Sequence, residues 1–442
     1  MQRIRALLEK LKTNRLVKDY IWVFLGQNIG SIFTMLSIIV TLKIICTEDY
    51  GALTVIQTYC LLISNVFALR TFNGIIKFST EAEKSGDINE TKKYINSAFL
   101  LDVIAGVIAF IAAFLLVKPV TAFMGWDPTT VRFVQLYIPA ILFYPILNGA
   151  PTGIMRKTGH FKQVNIVHAS VYGVQLLSLC GILIFGVRNF KVVLIDYAIT
   201  EISETVIVSI LALRVLQKDE NYRGFWKSGF TKNRDFYTYN LYYGLMLSFD
   251  QILTNISTLL INKYVGNLVT AYLKIVTKIC SLITKLTNPI SQVFYPKLCE
   301  WISKKRYKKS LQICYAYMGS VLGVGCIIGL VLFSTYNLWI PIFDAEMTAA
   351  KLQSVLYFSY SLLGVSIICF HQLSLTLDMM RFNLVTVAVC DIVYLALLIP
   401  CIKQFGVNGY LLLQIAQLLC VFFMKYFMIR KKIRIINTVD NG

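Results

Sequence analysis

The stretch that decides the fold lies near the middle of the chain, where residues 267–295 read NLVTAYLKIVTKICSLITKLTNPISQVFY. This stretch is predicted to span a membrane, yet it contains Lys274, Lys278 and Lys285. On a helix these positions differ in direction by about 40° and about −20°, so the three ammonium groups form one stripe roughly 16 Å long. A charge at such depth is costly unless it faces water, a partner or a ligand. The stripe predicts a polar cavity that holds an anion; neutralising carboxylates or a tilted surface helix are the alternatives.

Composition places the whole chain in a membrane. Of its 442 residues, 57% are hydrophobic and only 15% are charged, and the mean hydropathy is +0.64. A soluble protein of this size needs a more highly charged surface. We therefore predict an all-α integral membrane protein with about twelve transmembrane helices. The net charge of +20 would suggest nucleic acid in a soluble protein, but here it reflects membrane topology and no nucleic acid partner is expected.

The distribution of basic residues predicts the topology. Of the 43 lysines and arginines, 30 fall in the termini and alternate loops, and 8 fall in the other loops when Arg132, in the first turn of the predicted fourth span, is counted with them. By the positive-inside rule, this bias places both termini in the cytoplasm. The predicted spans are near residues 20–42, 51–76, 94–117, 131–155, 164–186, 192–213, 239–262, 267–295, 311–334, 353–377, 384–402 and 409–429.

The longest polar stretch, residues 214–238, separates the first six predicted spans from the last six. Two pseudo-symmetric halves around a central cavity, with the substrate bound between them, are a common transporter plan. The predicted divisions are a basic amphipathic segment (1–19), an N-terminal six-helix half (20–213), a cytoplasmic linker (214–238), a C-terminal six-helix half (239–429) and a cytoplasmic tail (430–442).

Polar side chains follow one side of the first span and of its counterpart in the second half. The predicted lining residues of the cavity are Gln27, Ser31, Thr34, Gln251, Thr254 and Asn255. Any one of them could serve only to hold helices together, but two matching stripes favour a shared hydrophilic cavity. Hydroxyls and amides both donate to and accept from sugar hydroxyls. Arg70, near the cytoplasmic end of the second span, has a planar fork that suits phosphate oxygens.

Acids within spans are candidates for ion coupling. Glu201 and Glu204 share a face of the sixth span, and Asp250 lies nearest the middle of the membrane. Such a carboxylate could bind a coupling proton or sodium ion, or pair with a lysine of the next span, and both interpretations stay open. Asp102, Asp196 and Asp391 lie within two turns of predicted span ends, where water can reach them.

No cofactor is predicted. The eleven cysteines are scattered singly, and the three histidines are dispersed, which argues against a metal site. The cytoplasmic loops contain no phosphate-binding glycine loop, so ATP is not expected to drive this protein directly.

Three short motifs carry a family resemblance: FLGQNIG at residues 24–30, EDYGAL at 48–53 and RTFNGIIKF at 70–78. They resemble the bacterial polysaccharide flippases of the multidrug/oligosaccharidyl-lipid/polysaccharide exporter superfamily. The resemblance implies two six-helix halves, a cationic central cavity and alternating access. It also implies a substrate, the undecaprenyl-diphosphate-linked oligosaccharide repeat units of O-antigen, capsule or exopolysaccharide. Carried onto this chain, the cavity cations are Arg70, Lys274, Lys278 and Lys285.

The resemblance therefore predicts a flippase of the bacterial inner membrane that is not an enzyme. Its expected partners are the polyprenyl-diphosphate-linked oligosaccharide, membrane lipids, and a polysaccharide polymerase with its chain-length machinery. One alternative is a drug/cation antiporter of the same superfamily, whose cavity should instead be dominated by acids. The other is a membrane polysaccharide polymerase or ligase, which usually needs a large external loop that this sequence lacks.

Overall fold

The chain is an all-helical membrane protein. The computed structural model describes residues 15–147, 149–281, 298, 301–302, 304–377 and 379–440, and within them the regular secondary structure is helical with no strand. The chain divides into two compact units, residues 1–259 and 260–442. The predicted division into six-helix halves joined by residues 214–238 stays a prediction.

Within the described residues, the first unit contains ten α-helices, and the last of them continues into the second unit. They are α1 (Arg15–Ile44), α2 (Thr47–Phe67), α3 (Phe72–Lys84), α4 (Ile88–Met124), α5 (Pro128–Tyr137), α6 (Tyr144–Leu147), α7 (Ala150–Lys157), α8 (Phe161–Ile184), α9 (Phe190–Lys218) and α10 (Arg234–Val265). Short 3-10 turns lie at Ile138–Leu142 and Phe225–Lys227.

The described helices of the second unit are α11 (267–281), α12 (Tyr307–Ser334), α13 (Tyr336–Trp339), α14 (Lys351–Thr376) and α15 (Met380–Asp440), with 3-10 turns at Ile340–Ile342 and Ala345–Ala350. The long α15 is a hairpin, because Gly406 takes a φ of 58° that only glycine adopts readily. Its two arms meet where the Gln417 amide donates to Asp391. The arms correspond to the predicted spans 384–402 and 409–429.

Length and hydropathy agree with a multi-pass membrane protein. Within the described residues, seven helical segments are long and apolar enough to cross a membrane. Many of their large apolar side chains are exposed, among them Ile111, Leu115 and Leu177. A soluble protein would bury such side chains, whereas hydrocarbon solvates them. The predicted count of twelve spans stays a prediction.

The second predicted span, residues 51–76, is wrong as a continuous helix. The chain leaves helical geometry after α2 and re-enters it at α3, and Arg70 in the gap has a φ of 48°. A non-glycine residue in this region is strained by roughly 1–3 kcal/mol, so the surrounding structure must hold it there.

Asp102 of α4 supplies that support. Asp102 is fully buried, so the expectation that water reaches its carboxylate is wrong. Asp391 is also buried, and the same expectation is wrong for it. The Asp102 carboxylate accepts hydrogen bonds from the Thr71 hydroxyl at 2.9 and 2.8 Å. It also accepts from the Ala150 backbone N–H at 2.6 Å. One carboxylate therefore anchors both the start of α3 and the start of α7, where helix N–H groups need an acceptor.

Two glycines let α10 lie directly against this break. A Cβ at Gly244 would stand 2.7 Å from the Ala68 carbonyl oxygen and 2.8 Å from that of Leu69, and a Cβ at Gly74 would collide with the Asn240 side chain. Only a residue without a side chain permits this approach. The contact positions the polar residues of α10 beside Arg70.

The fourth predicted span is bent, as its prolines indicate. Pro139 opens the 3-10 turn after α5, and Pro151 lies in the first turn of α7. Proline lacks the backbone N–H that a continuing helix needs, so it is tolerated where a helix begins.

Hydrogen bonds hold the segment between α9 and α10, residues 219–233, against α3 and α4 of the same unit. The Tyr222 hydroxyl donates to Glu83, the Thr231 backbone N–H donates to the Ser97 hydroxyl at 2.9 Å, and the Asn96 amide donates to the Gly229 carbonyl at 2.9 Å. Burial raises the pKa of Tyr222, and its bond to Glu83 raises it further. The Tyr222 hydroxyl therefore stays protonated and remains a donor at neutral pH.

Candidate functional site

Arg70 lies at the centre of the candidate site in the first unit. It is 9% exposed. Its Nε donates to the Ser248 hydroxyl at 3.2 Å. One terminal nitrogen donates to the side-chain amide oxygen of Asn65 at 3.0 Å and to that of Gln251 at 2.6 Å. Arg70 and Gln251 were predicted separately, from opposite sequence halves, and the structure brings them together.

Within the described residues, the hydrogen-bond partners of Arg70 are all neutral. Asn65, Ser248 and Gln251 accept hydrogen bonds but carry no charge that could compensate the guanidinium. Within the described part of the chain, no carboxylate lies within ion-pair distance of Arg70. The other terminal nitrogen has no hydrogen-bond partner among these residues. The site therefore retains a positive charge and two N–H donors that an anion can use.

A second polar cluster contains both predicted glutamates. Glu204 of α9 is buried, and its carboxylate lies 2.8 Å from Nδ1 of His168 on α8. His168 packs against Gly30 of α1, where a Cβ would stand 2.5 Å from the imidazole Cδ2. Sequence reasoning missed His168, since a single histidine in an apolar helix shows no pattern. The close packing on Gly30 depends on tertiary structure alone.

Glu201 lines a small cavity of about 10 Å³ in the first unit, together with Ser64, Tyr137 and Tyr144. That volume holds about one water molecule. The Tyr137 hydroxyl lies beside Glu201. The Gln57 amide donates a hydrogen bond to this hydroxyl at 3.2 Å. Glu201 and Glu204 lie one turn apart on α9, and both interact electrostatically with Tyr144 and Tyr172.

The predicted lining residues of the cavity differ from one another in burial and in hydrogen-bond partners. Ser31 is buried, whereas the Thr34 hydroxyl donates to the Gly30 carbonyl of its own helix at 2.9 Å. Thr254 is exposed on α10, and Asn255 is partly buried. The backbones of Gln27 and Asp250 are helical, but their side chains lie outside the described part of the structure.

Two of the three stripe lysines are described, and they lie in the second unit. Lys274 and Lys278 are partly buried on α11. They share that side of the helix with Thr277 and Ser281, at directions within about 100° of one another. The predicted third member, Lys285, lies outside the described residues.

Comparison with known proteins agrees with this architecture. An inward-facing multidrug resistance transporter of the MATE family, within the MOP superfamily, matches with a TM-score of 0.68 and 15% identity, over 92% of this chain and 96% of that chain. The MATE multidrug transporter DinF-BH matches with a TM-score of 0.65 and 17% identity, over 93% of this chain and 94% of that chain. At such identities, these likenesses show the fold alone.

Sequence comparison is more specific. Inner membrane protein YghQ of Escherichia coli (strain K12) is 19% identical over 155 residues, which cover 35% of this chain and 43% of that protein. This match spans less than half of the relative. The family described as "Polysaccharide biosynthesis protein" matches residues 16–302, which is more than half of the chain. The chain therefore belongs to the polysaccharide biosynthesis protein family.

Proposed function

We propose that this protein is a flippase. It translocates undecaprenyl-diphosphate-linked oligosaccharide repeat units across the bacterial cytoplasmic membrane, for surface polysaccharide biosynthesis, by ion-coupled alternating access. It acts without catalysing a covalent reaction. The observation that carries this proposal is Arg70: a buried guanidinium in a membrane segment, whose hydrogen-bond partners among the described residues are all neutral. Such a group favours an anionic cargo and disfavours the cationic cargo of a drug antiporter. Membership of a polysaccharide biosynthesis family supports a saccharide-bearing anion.

A transport assay in proteoliposomes tests this function directly. The purified full-length protein should move a fluorescently labelled undecaprenyl-diphosphate-linked oligosaccharide between leaflets, and it should not move a cationic dye. Arg70→Gln should slow lipid movement by about tenfold or more, because it removes charge-assisted hydrogen bonds to phosphate. Arg223→Gln, on the exposed segment after α9, is the matched control and should transport normally. Movement of the dye but not of the lipid-linked sugar would favour the antiporter.

Ion coupling forms a second part of the proposal. Glu204 and Asp250 are the acids that we assign to it. Around Glu204, the groups that can exchange or stabilise a proton are His168 at 2.8 Å, the Tyr172 hydroxyl beside the carboxylate, and Glu201 with Tyr144 nearby. Carboxylate and imidazole side chains are the groups that proteins commonly use to relay protons within membranes.

Neutral replacements of these acids should impair coupled transport. We expect Glu204→Gln and Asp250→Asn each to insert into the membrane normally and to lose most of the stimulation by an imposed proton or sodium gradient. Glu220→Gln, which removes an exposed loop acid, is the control. An acid whose replacement leaves transport normal across a range of pH is a structural partner, and coupling then lies elsewhere.

A further inference from the structure

A pair of stacked tyrosines marks a second feature of the first unit. Tyr239 and Tyr243 are one turn apart on α10, and their rings are parallel within 4° at a centroid distance of 5.7 Å. Both are partly exposed. The ammonium of Lys77 lies over the Tyr239 ring, 4.8 Å from its centroid. An aromatic face beside a cation is therefore presented at this end of α3 and α10.

A second cation lies beside Tyr243. The Arg156 guanidinium, in the last turn of α7, is 4.8 Å from the centroid of the Phe72 ring. Phe72 in turn meets the edge of Tyr243 at 6.1 Å. Electrostatic interactions link Tyr243 to both Arg156 and Arg70. The tyrosine thus stands between an exposed arginine and the buried one.

Neither exposed cation is neutralised. In the part of the chain that the structure describes, no carboxylate lies within 4.0 Å of Lys77 or Arg156. Both side chains are exposed, and a contact with an aromatic ring leaves their hydrogen-bond donors unused. Their charge is therefore available to an anion.

These groups lie on three helices: Lys77 on α3, Arg156 on α7, and Tyr239 and Tyr243 on α10. Lys77 is near the cytoplasmic end of the predicted second span, and Arg70 is deeper. On α10, the distance from Tyr239 to Gln251, the partner of Arg70, is roughly 18 Å at about 1.5 Å per residue. We define the loading strip as Lys77, Arg156, Tyr239 and Tyr243. It extends from the predicted cytoplasmic surface towards Arg70.

We propose that the loading strip is a separate binding site for the diphosphate and first sugar of the lipid-linked substrate, occupied before Arg70 is reached. The cations bind phosphate oxygens, and the tyrosines contact the sugar with their ring faces and hydroxyls. This inference rests on the proposed function, since it assigns an earlier position to the same substrate. It adds Lys77, Arg156, Tyr239 and Tyr243 to the residues that recognise the cargo.

Two probe lipids separate the two halves of the strip. Full-length protein in lipid nanodiscs is titrated with undecaprenyl diphosphate and with undecaprenyl diphosphate carrying one hexose, and bound lipid is counted by native mass spectrometry. Lys77→Gln and Arg156→Gln should weaken both lipids about equally, by roughly tenfold. Tyr239→Ala with Tyr243→Ala should weaken only the hexose lipid, by about threefold to tenfold. Lys227→Gln, an exposed cytoplasmic cation outside the strip, should bind both lipids normally.

The outcomes are distinct. If wild-type protein binds neither lipid, the proposed function fails. If wild type binds both and the three strip variants bind like the Lys227→Gln control, the strip is structural and the inference is overturned. Equal weakening of both lipids by the tyrosine variants would also overturn the sugar assignment. Thermal unfolding of each variant, measured in the same nanodiscs, shows whether weaker binding reflects a loss of folded protein.

Discussion

Replacing Lys278 and Lys285 together by alanine should abolish surface polysaccharide while the protein level stays unchanged. A diphosphate that crosses a low-dielectric core is very unfavourable without compensating charge. Several cations lower that barrier by offering successive partners. The interior-negative potential then assists outward movement by about 2.3 kcal/mol per charge per 100 mV. Each single alanine variant should reduce polymer only partly, because neighbouring lysines substitute.

Charge-preserving variants distinguish electrostatics from shape. Lys278→Arg with Lys285→Arg should retain more polymer than the alanine pair, though arginine is larger and differently shaped. Lys308→Ala with Lys309→Ala, a pair outside the predicted spans of the same unit, is the control and should export normally. Polymer at the wild-type rate from the Lys278/Lys285 alanine pair would mean that the stripe is structural.

The second large effect concerns stability. Asp102→Ala should lower the free energy of unfolding by about 3–5 kcal/mol, because it leaves the Thr71 hydroxyl and the Ala150 N–H buried without their acceptor. Asp102→Asn should lower the free energy of unfolding by less than Asp102→Ala. Its amide keeps one oxygen as an acceptor, but its N–H group faces groups that are themselves donors. Gly149→Ala should resemble Asp102→Ala, because a Cβ there would collide with the carboxylate. Thermal unfolding in detergent measures all three.

A matched surface variant completes that comparison. Asp235→Ala removes an exposed acid in the first turn of α10 and should change the unfolding temperature little. If Asp102→Ala unfolds at the temperature of Asp235→Ala, the carboxylate does not hold the two helix starts, and another group must fix Arg70 in its strained conformation.

Local pattern was enough to predict much of the fold. Long apolar segments and the distribution of basic residues indicate a multi-pass helical protein, and prolines indicate the bent fourth span. The break before α3 could not be predicted, because residues 68–71 contain neither proline nor glycine. It depends on Asp102, about 30 residues later, and on Gly244 of α10, and such distant contacts leave no local signal.

The candidate site shows the same limit. Arg70, Gln251 and Glu204 are identifiable because charged and polar residues are costly within apolar segments. Which of them touch each other depends on helix packing, so the contacts of Arg70 with Gln251 and of Glu204 with His168 required coordinates. Arg156 and Tyr243 gave no sequence signal, since one lies near a loop and the other in a tyrosine-rich stretch.

The shared anchor at Asp102 also constrains movement. Because one carboxylate holds the starts of both α3 and α7, a rotation of α3 in the proposed transport cycle would carry α7 with it. Lys77 and Arg156 belong to these two helices, and Arg70 immediately precedes α3. The three cations would therefore travel as one rigid body, and a bound diphosphate would meet constant charge spacing throughout the cycle. Only the depth of that body and its access to water would change.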